Sequence, residues 1–293
     1  MRLILGKESV GCKMRVGGIE KGKADLMLSR LREFLSGKGV ESYLVGGYVR
    51  DILLKRVTAD IDISVGTDAL EVAREMASAL GGKYVLLNET NGIARVVFGA
   101  NGERIFLDFS TMRGEIEQDL THRDFTIDAM AVRLNELQDM GIHLRVIDPF
   151  GGQHDLEDRL IRTVSDTSFS DDPARLLRAI RLAAELNFTI EPGTEDLISS
   201  QSHLIARVPG ERIREELCHL LATPRATHSL RTLDRLGLLG VIVPELNEAR
   251  GVEQPWEHFW DVFDHSIETV AAVERLLELG NPGYQGDDIL DLV

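Results

Sequence analysis

The spacing of hydrophobic residues changes along the chain and divides the sequence into two parts near Asp172. In the first part, segments with apolar residues at helical spacing are interspersed with segments in which apolar and polar residues alternate, as in strands. The predicted helices are KADLMLSRLREFLSGKG, YVRDILLKR and DALEVAREMASALGG, and the predicted strands are ESYLVGG, ADIDISVG, KYVLLN, ARVVFG and RIFLDFS. We therefore expect an α/β or α+β arrangement in this part.

From about Asp172 onward, almost every segment has the helical period. The predicted helices are PARLLRAIRLAAEL, TEDLISSQSHLI, GERIREELCHLLA, ATHSLRTLDRLGLL and DHSIETVAAVERLLELG. The sequence thus predicts a mixed sheet domain followed by an array of helices.

Length and composition limit the classes of protein to which this chain can belong. A length of 293 residues allows two domains, because single hydrophobic cores seldom grow past ~250 residues. No apolar stretch approaches the ~20 residues needed to cross a bilayer. The first residues lack the apolar core of a signal peptide, so a cytoplasmic location is expected. Cys12 and Cys218 have no CxxC spacing, which argues against a disulfide framework and a zinc site.

The net charge of −15 argues against a generally basic protein that coats nucleic acid without sequence preference. A local basic patch is still compatible with this net charge. The segments ARLLRAIRLAAEL and RVPGERIREEL could supply one, although an exposed helix face explains their arginines equally well.

Two aspartates in the predicted strand ADIDIS are the first candidates for chemistry. Asp60 and Asp62 are two residues apart, so their side chains leave the same face of a strand and could share a metal site. Mg²⁺ prefers carboxylate oxygens and keeps water positions for substrate phosphates. By itself the DxD pattern is weak, since two solvated surface acids would look the same.

Other residues strengthen the metal interpretation. Gly46 and Gly47 lie between a predicted strand and a predicted helix, where backbone N–H groups can approach a phosphate closely. A plain strand-to-helix turn is the alternative. Asp108, on a later predicted strand, could supply a third carboxylate, and an acid on an edge strand is the alternative there.

Five segments together resemble a known family. LVGGYVRDILLKRVTADIDISVG, HRDFTIDAMAV, DPFGGQHDL, DDPARLLRAIRLAAELNF and ERIREEL resemble, in order, five motifs of the class II tRNA nucleotidyltransferases (CCA-adding enzymes) and bacterial poly(A) polymerases. The resemblance implies an α+β fold, with a polymerase-beta-like head built on a mixed or antiparallel sheet and an all-helical neck and body. The expected boundaries are a lead at 1–24, a catalytic head at 25–150, a neck at 151–225 and a body at 226–293.

The resemblance also implies an activity. The 3′-hydroxyl of tRNA would attack the α-phosphate of CTP or ATP, and pyrophosphate would leave with two Mg²⁺ ions stabilising the attacking and departing oxygens. Asp60 and Asp62 would be the metal ligands, with Asp108 as a further catalytic carboxylate. Gly46 and Gly47 would contact the triphosphate.

Two arginines join this expected nucleotide site. Arg50 would support the site or bind phosphate, although a structural ion pair with Asp51 or another acid is the alternative. Arg178, in the fourth motif, is also expected to bind the nucleotide.

Asp172 and Arg175 match the pair that reads the incoming base in this family. A carboxylate accepts from the amino group of cytosine or adenine, and a guanidinium donates to the ring nitrogen beside it. Uracil and guanine present the opposite order and would be rejected. The two residues are expected at positions i and i+3 of one helix face. Because Pro173 follows Asp172, a helix N-cap is the alternative.

In the second motif, Arg123 and Asp124 match residues associated with the ribose and with holding the site together, and a core salt bridge is the alternative. His122 stands where the family commonly has arginine, and Asp128 replaces a frequent asparagine. Only GEIEQDL separates the strand LDFSTMR from this motif, where many CCA-adding members have a longer flexible loop. The short segment resembles enzymes that add only the two cytidines.

A last cluster lies near the end of the sequence. His258, Asp261 and His265 are spaced so that they could share a helix face and chelate a metal, and the segment resembles the start of an HD-type phosphohydrolase domain. No His–Asp pair follows His265, so we expect ordinary packing here. The resemblance implies that family members continue through further helical regions.

Overall fold

The structure is a computed structural model that describes residues 21–56, 58–99, 104–137, 145–254 and 259–279. The strands are β1 Ser42–Val45, β2 Asp60–Val65, β3 Lys83–Asn88, β4 Ile93–Phe98, β5 Ile105–Thr111, β6 Ala131–Arg133, β7 Val146–Ile147, β8 Leu160–Ile161 and β9 Thr189–Ile190. The helices are α1 Lys21–Gly37, α2 Gly46–Leu53, α3 Ala69–Leu80, α4 Ile116–Leu120, α5 Gly152–Glu157, α6 Ser168–Asp171, α7 Arg175–Leu186, α8 Pro192–Gln201, α9 Gly210–Leu221, α10 Ala226–Arg235, α11 Leu239–Ile242, α12 Glu245–Glu248 and α13 Val262–Leu279.

Seven strands form one mixed sheet in the order β3-β4-β5-β2-β1-β6-β7. The central strands β2 and β5 are parallel, and each of the other neighbouring pairs is antiparallel. This arrangement confirms the α+β fold with a mixed sheet. It also places β2, the strand with the aspartate pair, near the middle of the sheet.

Strand periodicity determines which residues of β2 enter the core. Ile61, Ile63 and Val65 are fully buried, whereas Asp60 is exposed and Asp62 is partly buried. Because neighbouring side chains of a strand point to opposite faces, burial of the apolar set turns both aspartates to the other face. Helix α3 packs on β4 and β5, and α2 packs on β2.

The described part after Asp172 is helical apart from the two-residue strand β9, in agreement with the prediction of helices almost throughout. Helix α7 packs against α9 and α10, and α10 packs against α13. Leu176, Leu177 and Ile180 of α7 belong to the same hydrophobic cluster as the core of the sheet. Within the described residues, we find no helix that combines the length and the apolar character needed to cross a membrane.

Candidate active site

The turn between β1 and α2 brings a helix N-terminus against the aspartate pair. Helix α2 begins at Gly46, two residues earlier than predicted, so the glycine pair forms its first turn. Gly46 has a φ of 66°, and a Cβ there would lie 3.2 Å from Asp62 Oδ2 and 3.3 Å from Arg123 Nη1. Glycine is therefore required by the backbone conformation and by the narrow space between these two side chains.

The parallel pairing of β2 and β5 sets Asp62 directly beside Asp108. Asp108 lies on a central strand, so the interpretation as an edge-strand acid is wrong. Its carboxylate accepts two hydrogen bonds from Arg95 of β4, with N–O distances of 2.7 and 2.6 Å. Asp108 is thus adjacent to the pair, but in this structure its oxygens are engaged by an arginine, and its catalytic role stays a prediction.

Both aspartates of β2 occupy surroundings that disfavour their negative charge. Burial raises the pKa of Asp62 to about 6, although the charges of Arg123 and Arg178 lower it in part. Asp60 is open to solvent on one side, and loss of water around the rest of its carboxyl still raises its pKa, against the opposing charge of Arg95.

This chemistry fits a divalent cation, which would supply the missing positive charge. Among the described residues, no group of three or more His, Cys, Asp or Glu side chains is placed to hold a metal ion. Asp60 and Asp62 would therefore leave most coordination positions to water and phosphate, as Mg²⁺ prefers.

Arg50 is engaged in two ion pairs. Its Nε donates to Asp51 Oδ1 at 3.0 Å and its Nη1 donates to Asp128 Oδ1 at 2.8 Å. Burial alone would lower the pKa of Arg50, but the carboxylates of Asp128 and Asp51 hold it above its ordinary value. The structure therefore shows the structural pairing that was the alternative to phosphate binding.

The second motif joins the head to helix α7. Asp124 is buried and pairs with Arg178, with Arg178 Nε 3.0 Å from Asp124 Oδ2. Although burial alone raises the pKa of Asp124, the charges of Arg178 and Arg175 and the backbone N–H of Phe125 lower it overall. The core salt bridge proposed as an alternative for Asp124 is thus present, and it is formed with the fourth motif.

Arg123 lies beside this pair, with its Nη2 3.4 Å from Asp119 Oδ2. The His122 side chain is exposed, but its carbonyl oxygen accepts a hydrogen bond from Arg175 Nη2 at 2.7 Å. Arg175 contacts the backbone of residue 122. This hydrogen bond therefore does not depend on whether the side chain there is the family's common arginine or the histidine of this chain.

The expected placement of the base-reading pair on one helix is wrong. Helix α7 begins at Arg175, and Asp172 lies before it with extended φ and ψ of −145° and 97°. The physical reason is Pro173, which disfavours helical conformation in the residue before it. Asp172 Oδ1 nevertheless accepts from the backbone N–H of Ala174 at 3.2 Å, so the carboxylate has a capping contact as well.

Three side chains of the site were not predicted from the sequence. They are Asp119, Arg95 and Arg212. Buried Asp119 accepts from Ser64 Oγ and from the backbone N–H of Arg113, and Arg212 pairs with Asp172. A carboxylate in the short segment IEQDL, four residues before Arg123, was a usable signal for Asp119. Arg95 and Arg212 become recognisable only when strand register and helix packing are known.

The structure describes only part of the cluster near the end of the chain, namely Asp261 and His265. Asp261 accepts from the backbone N–H groups of Gly251 and Asp264, each at 2.7 Å, just before α13. His265 lies on α13, and His258 lies outside the described residues.

Comparison with known proteins agrees with this geometry. The family model described as "Poly A polymerase head domain" matches residues 42–162, and the model described as "Probable RNA and SrmB- binding site of polymerase A" matches residues 187–250.

Two curated relatives are similar to this chain. The A-adding tRNA nucleotidyltransferase of Deinococcus radiodurans is 38% identical over 232 residues, which is 78% of this chain and 50% of that protein. The CC-adding tRNA nucleotidyltransferase of Geobacter sulfurreducens is 42% identical over 205 residues, which is 70% of this chain and 46% of that protein. The chain therefore spans about half the length of these curated relatives.

A solved structure of a CCA-adding enzyme with ATP superposes with a TM-score of 0.65 at 30% identity, and the match covers 90% of this chain and 72% of that one. The mixed sheet and the matched family model place residues 42–162 in the class of poly(A) polymerase head domains. More narrowly, the chain belongs to the class II tRNA nucleotidyltransferase and poly(A) polymerase family.

Proposed function

We propose that this chain is a template-independent nucleotidyltransferase that adds C and A to the 3′ end of tRNA from CTP and ATP and releases pyrophosphate. The observation that carries the proposal is the docking of α7 against the second motif. The Arg178–Asp124 pair and the bond from Arg175 to the His122 carbonyl bring the expected base-reading residues to the edge of the carboxylate site. The relatives named above as A-adding, CC-adding and CCA-adding enzymes support the same reaction class.

In the proposed reaction, the 3′-oxygen of the RNA forms a bond to the α-phosphorus and loses its proton. The bond from that phosphorus to the bridging oxygen breaks, and pyrophosphate leaves. Gly46 and Gly47 contact the triphosphate at the N-terminus of α2, which favours an anion; the backbone N–H of Gly46 donates to the Met130 carbonyl at 3.3 Å, so Gly46 contributes through its close backbone approach. Arg123 binds and orients the ribose, and Asp124, which pairs with Arg178 and accepts from the backbone N–H of Phe125, holds the site together. Bound Mg²⁺, held by Asp60 and Asp62, would neutralise phosphate charge and make the 3′-hydroxyl a better nucleophile.

Base choice is assigned to Asp172 and Arg175. The carboxylate accepts from the amino group of cytosine or adenine, and the guanidinium donates to the adjacent ring nitrogen. With uracil or guanine, both side chains would face a group of the wrong hydrogen-bonding type, which leaves buried polar atoms unpaired. The proposed reaction takes place on tRNA, and we propose a cytoplasmic location with it.

A second candidate is addition of the two cytidines alone. The observation that favours it is the short connection after β5, which ends at Thr111 and is followed by the five-residue helix α4 before the second motif. The A-adding and poly(A)-adding activities of the family are further alternatives that use the same site.

One assay separates these outcomes. The protein is given Mg²⁺ and tRNA transcripts ending at the discriminator base, at C or at CC, with CTP and ATP singly and together, and the products are sequenced. We expect growth to CCA. Growth that stops at CC supports the second candidate, addition of a single A only to transcripts ending in CC indicates an A-adding enzyme, and long A tails indicate a poly(A) polymerase.

Substitution of the aspartate pair tests the site within the same assay. Asp60→Asn and Asp62→Asn are each expected to lower incorporation at least ~10³-fold, because the phosphate charge and the attacking oxygen lose their stabilisation. Asp158→Asn is the matched control, since Asp158 is exposed and its ion pair within the described residues is with His154. The proposal is overturned if the wild-type protein adds no nucleotide to any of the tRNAs in Mg²⁺.

A further inference from the structure

Arg212 forms an ion pair with Asp172, the carboxylate assigned to base reading. It lies on α9, and its Nη1 and Nη2 donate to Asp172 Oδ1 and Oδ2 at 2.9 and 2.8 Å. Two parallel hydrogen bonds between a guanidinium and a carboxylate fix both the distance and the plane of the carboxylate. Asp172 lies in the extended residue between α6 and α7, where the helix backbone does not fix its side chain.

The contact leaves Asp172 able to bind a base. A carboxylate offers about four lone-pair positions. Arg212 uses two of them and the backbone N–H of Ala174 uses a third. One acceptor position therefore remains, and the amino group of cytosine or adenine needs only one.

Arg175 is held in a comparable way. Its Nη1 donates to the Ser168 carbonyl at 3.3 Å and its Nη2 donates to the His122 carbonyl at 2.7 Å. Arginine has five N–H donors, so donors remain for a ring nitrogen. The acceptor and the donor of the pair are thus each fixed by other contacts before a nucleotide enters.

Fixing the carboxylate matters for discrimination. If Asp172 could rotate, it would lose its bond to the amino group of a correct base and would also escape the repulsion from the carbonyl oxygen of uracil or guanine. The correct substrates would bind less well and the wrong ones would be rejected less strongly. The ratio between them would therefore fall.

We propose that Arg212 is a positioning residue for base selection, which holds the Asp172 carboxylate in the orientation that accepts C and A and rejects U and G. This inference rests on the proposed function. It goes beyond that function by assigning specificity to a residue that would not itself touch the nucleotide.

A matched control exists because a second ion pair joins α9 to α7 itself, whereas Arg212 joins α9 to the residue Asp172 that precedes α7. Arg181 of α7 donates to Glu216 of α9 at 2.6 Å, and neither side chain bonds to Asp172 within the described residues. If Arg212 merely ties α9 to α7, loss of the Glu216 pair should have the same consequences as loss of Arg212. If Arg212 positions the carboxylate, only its own loss should change the choice of base.

The experiment measures kcat/KM for CTP and for UTP on a tRNA acceptor, with Arg212→Ala, Arg212→Lys, Glu216→Gln and Asp172→Ala. Arg212→Ala is expected to lower the CTP-to-UTP ratio by about tenfold or more, as for the loss of a directed hydrogen bond. Arg212→Lys keeps the charge without the two parallel bonds and should give an intermediate ratio. Glu216→Gln should stay within twofold of wild type.

The double variant Asp172→Ala with Arg212→Ala completes the test. Its ratio should equal that of Asp172→Ala alone, because Arg212 acts through that carboxylate. An unchanged ratio in Arg212→Ala, or an equal fall in Glu216→Gln, overturns the inference. If Arg212→Ala does not fold, an unchanged ratio in Arg212→Lys overturns it instead. Failure of the proposed function is distinguishable, because then the wild-type protein itself adds neither nucleotide.

Discussion

Two buried aspartates of the second motif, four residues apart, have opposite pKa shifts. Asp124 pairs with Arg178, and its pKa is lowered because that charge, that of Arg175 and a backbone N–H outweigh its burial. The pKa of Asp128 is raised because burial outweighs the charge of Arg50, and within the described residues its Oδ2 is buried without a hydrogen-bond partner. Both side chains look alike in the sequence, and only their surroundings distinguish them.

Asparagine should therefore have opposite effects at these two positions. At pH 7.5, we expect Asp124→Asn to lower the free energy of unfolding by about 3 kcal/mol, since it leaves Arg178 without its charge partner. Asp128→Asn should raise it by up to ~1 kcal/mol, since the fold no longer holds an ionised carboxylate there at a cost. Thermal unfolding of each variant beside wild type measures both effects.

The pH dependence gives a check on the signs. Asp124 has a folded pKa below its unfolded value, so its stabilisation is present above pH ~4 and is lost as the pH falls through the folded pKa. Asp128 has a folded pKa above its unfolded value, so its cost grows as the pH rises from ~4 through the folded pKa. The Asp128→Asn difference from wild type should therefore shrink as the pH falls toward ~4, whereas the Asp124→Asn difference should shrink only below pH ~4. A stabilised Asp124→Asn or a strongly destabilised Asp128→Asn would contradict these assignments.

At the scale of elements, the third motif makes direct contacts with the second motif. Helix α5 begins at Gly152, whose backbone N–H donates to Asp148 at 2.7 Å. A Cβ on Gly152 would lie only 2.2 Å from the carbonyl oxygen of Thr126. The hydroxyl of Thr126 also donates to Asp155 of α5 at 2.6 Å. The GG of this motif therefore permits close contact between two backbones.

Alanine substitutions at Gly151 and Gly152 should distinguish the effect of close atomic contact from the effect of backbone conformation. Gly152→Ala is expected to cost about 3 kcal/mol of stability and to lower activity, because the helix must move away from the second motif. Gly151→Ala should cost about 1–2 kcal/mol, because its φ of 72° disfavours an L side chain but no atom lies within 4 Å of a Cβ there. Chemical denaturation measures both costs. If Gly151→Ala loses as much activity as Gly152→Ala, the close-contact explanation is wrong.

Long elements were predicted from the sequence better than short ones. Helix α3 and strand β2 lie within the predicted segments, and β4 and β5 each extend one residue beyond theirs, because the apolar residues of these elements repeat over several turns or pairs. The short strands β6 and β7 were not predicted. Segments of three and two residues carry too little periodicity, and their structure comes from pairing with β1 and with each other.

At the scale of the molecule, a net charge of −15 is combined with arginines that are largely engaged by protein groups. On α7 and α9, Arg178 pairs with Asp124, Arg181 with Glu216 and Arg212 with Asp172. Carboxylates therefore neutralise three of the six arginines in the two segments that could supply a basic patch. Binding of RNA should depend less on phosphate contacts from these helices than the sequence indicates.

This arrangement predicts a weak dependence of RNA affinity on salt, provided that the proposed function holds. Each phosphate contact contributes about −0.7 to −0.9 to the slope of log affinity against log salt. We expect a slope smaller in magnitude than about 3 for tRNA binding to this chain. Fluorescence anisotropy between about 50 and about 300 mM salt measures this slope. A slope near −6 would show that many more cations contact phosphate.

The sequence by itself determined the two-part architecture, the position of the aspartate pair on one strand face and the family, since each depends on local periodicity or on short motifs. Tertiary structure alone decided which charged groups meet. The neighbours of Asp62, the engagement of Asp108 by Arg95 and the clamp of Arg212 on Asp172 all depend on strand register and helix packing. These contacts join residues that are distant in the chain. Which partners pair is decided by interactions that form only when the core packs, so the sequence pattern does not reveal them.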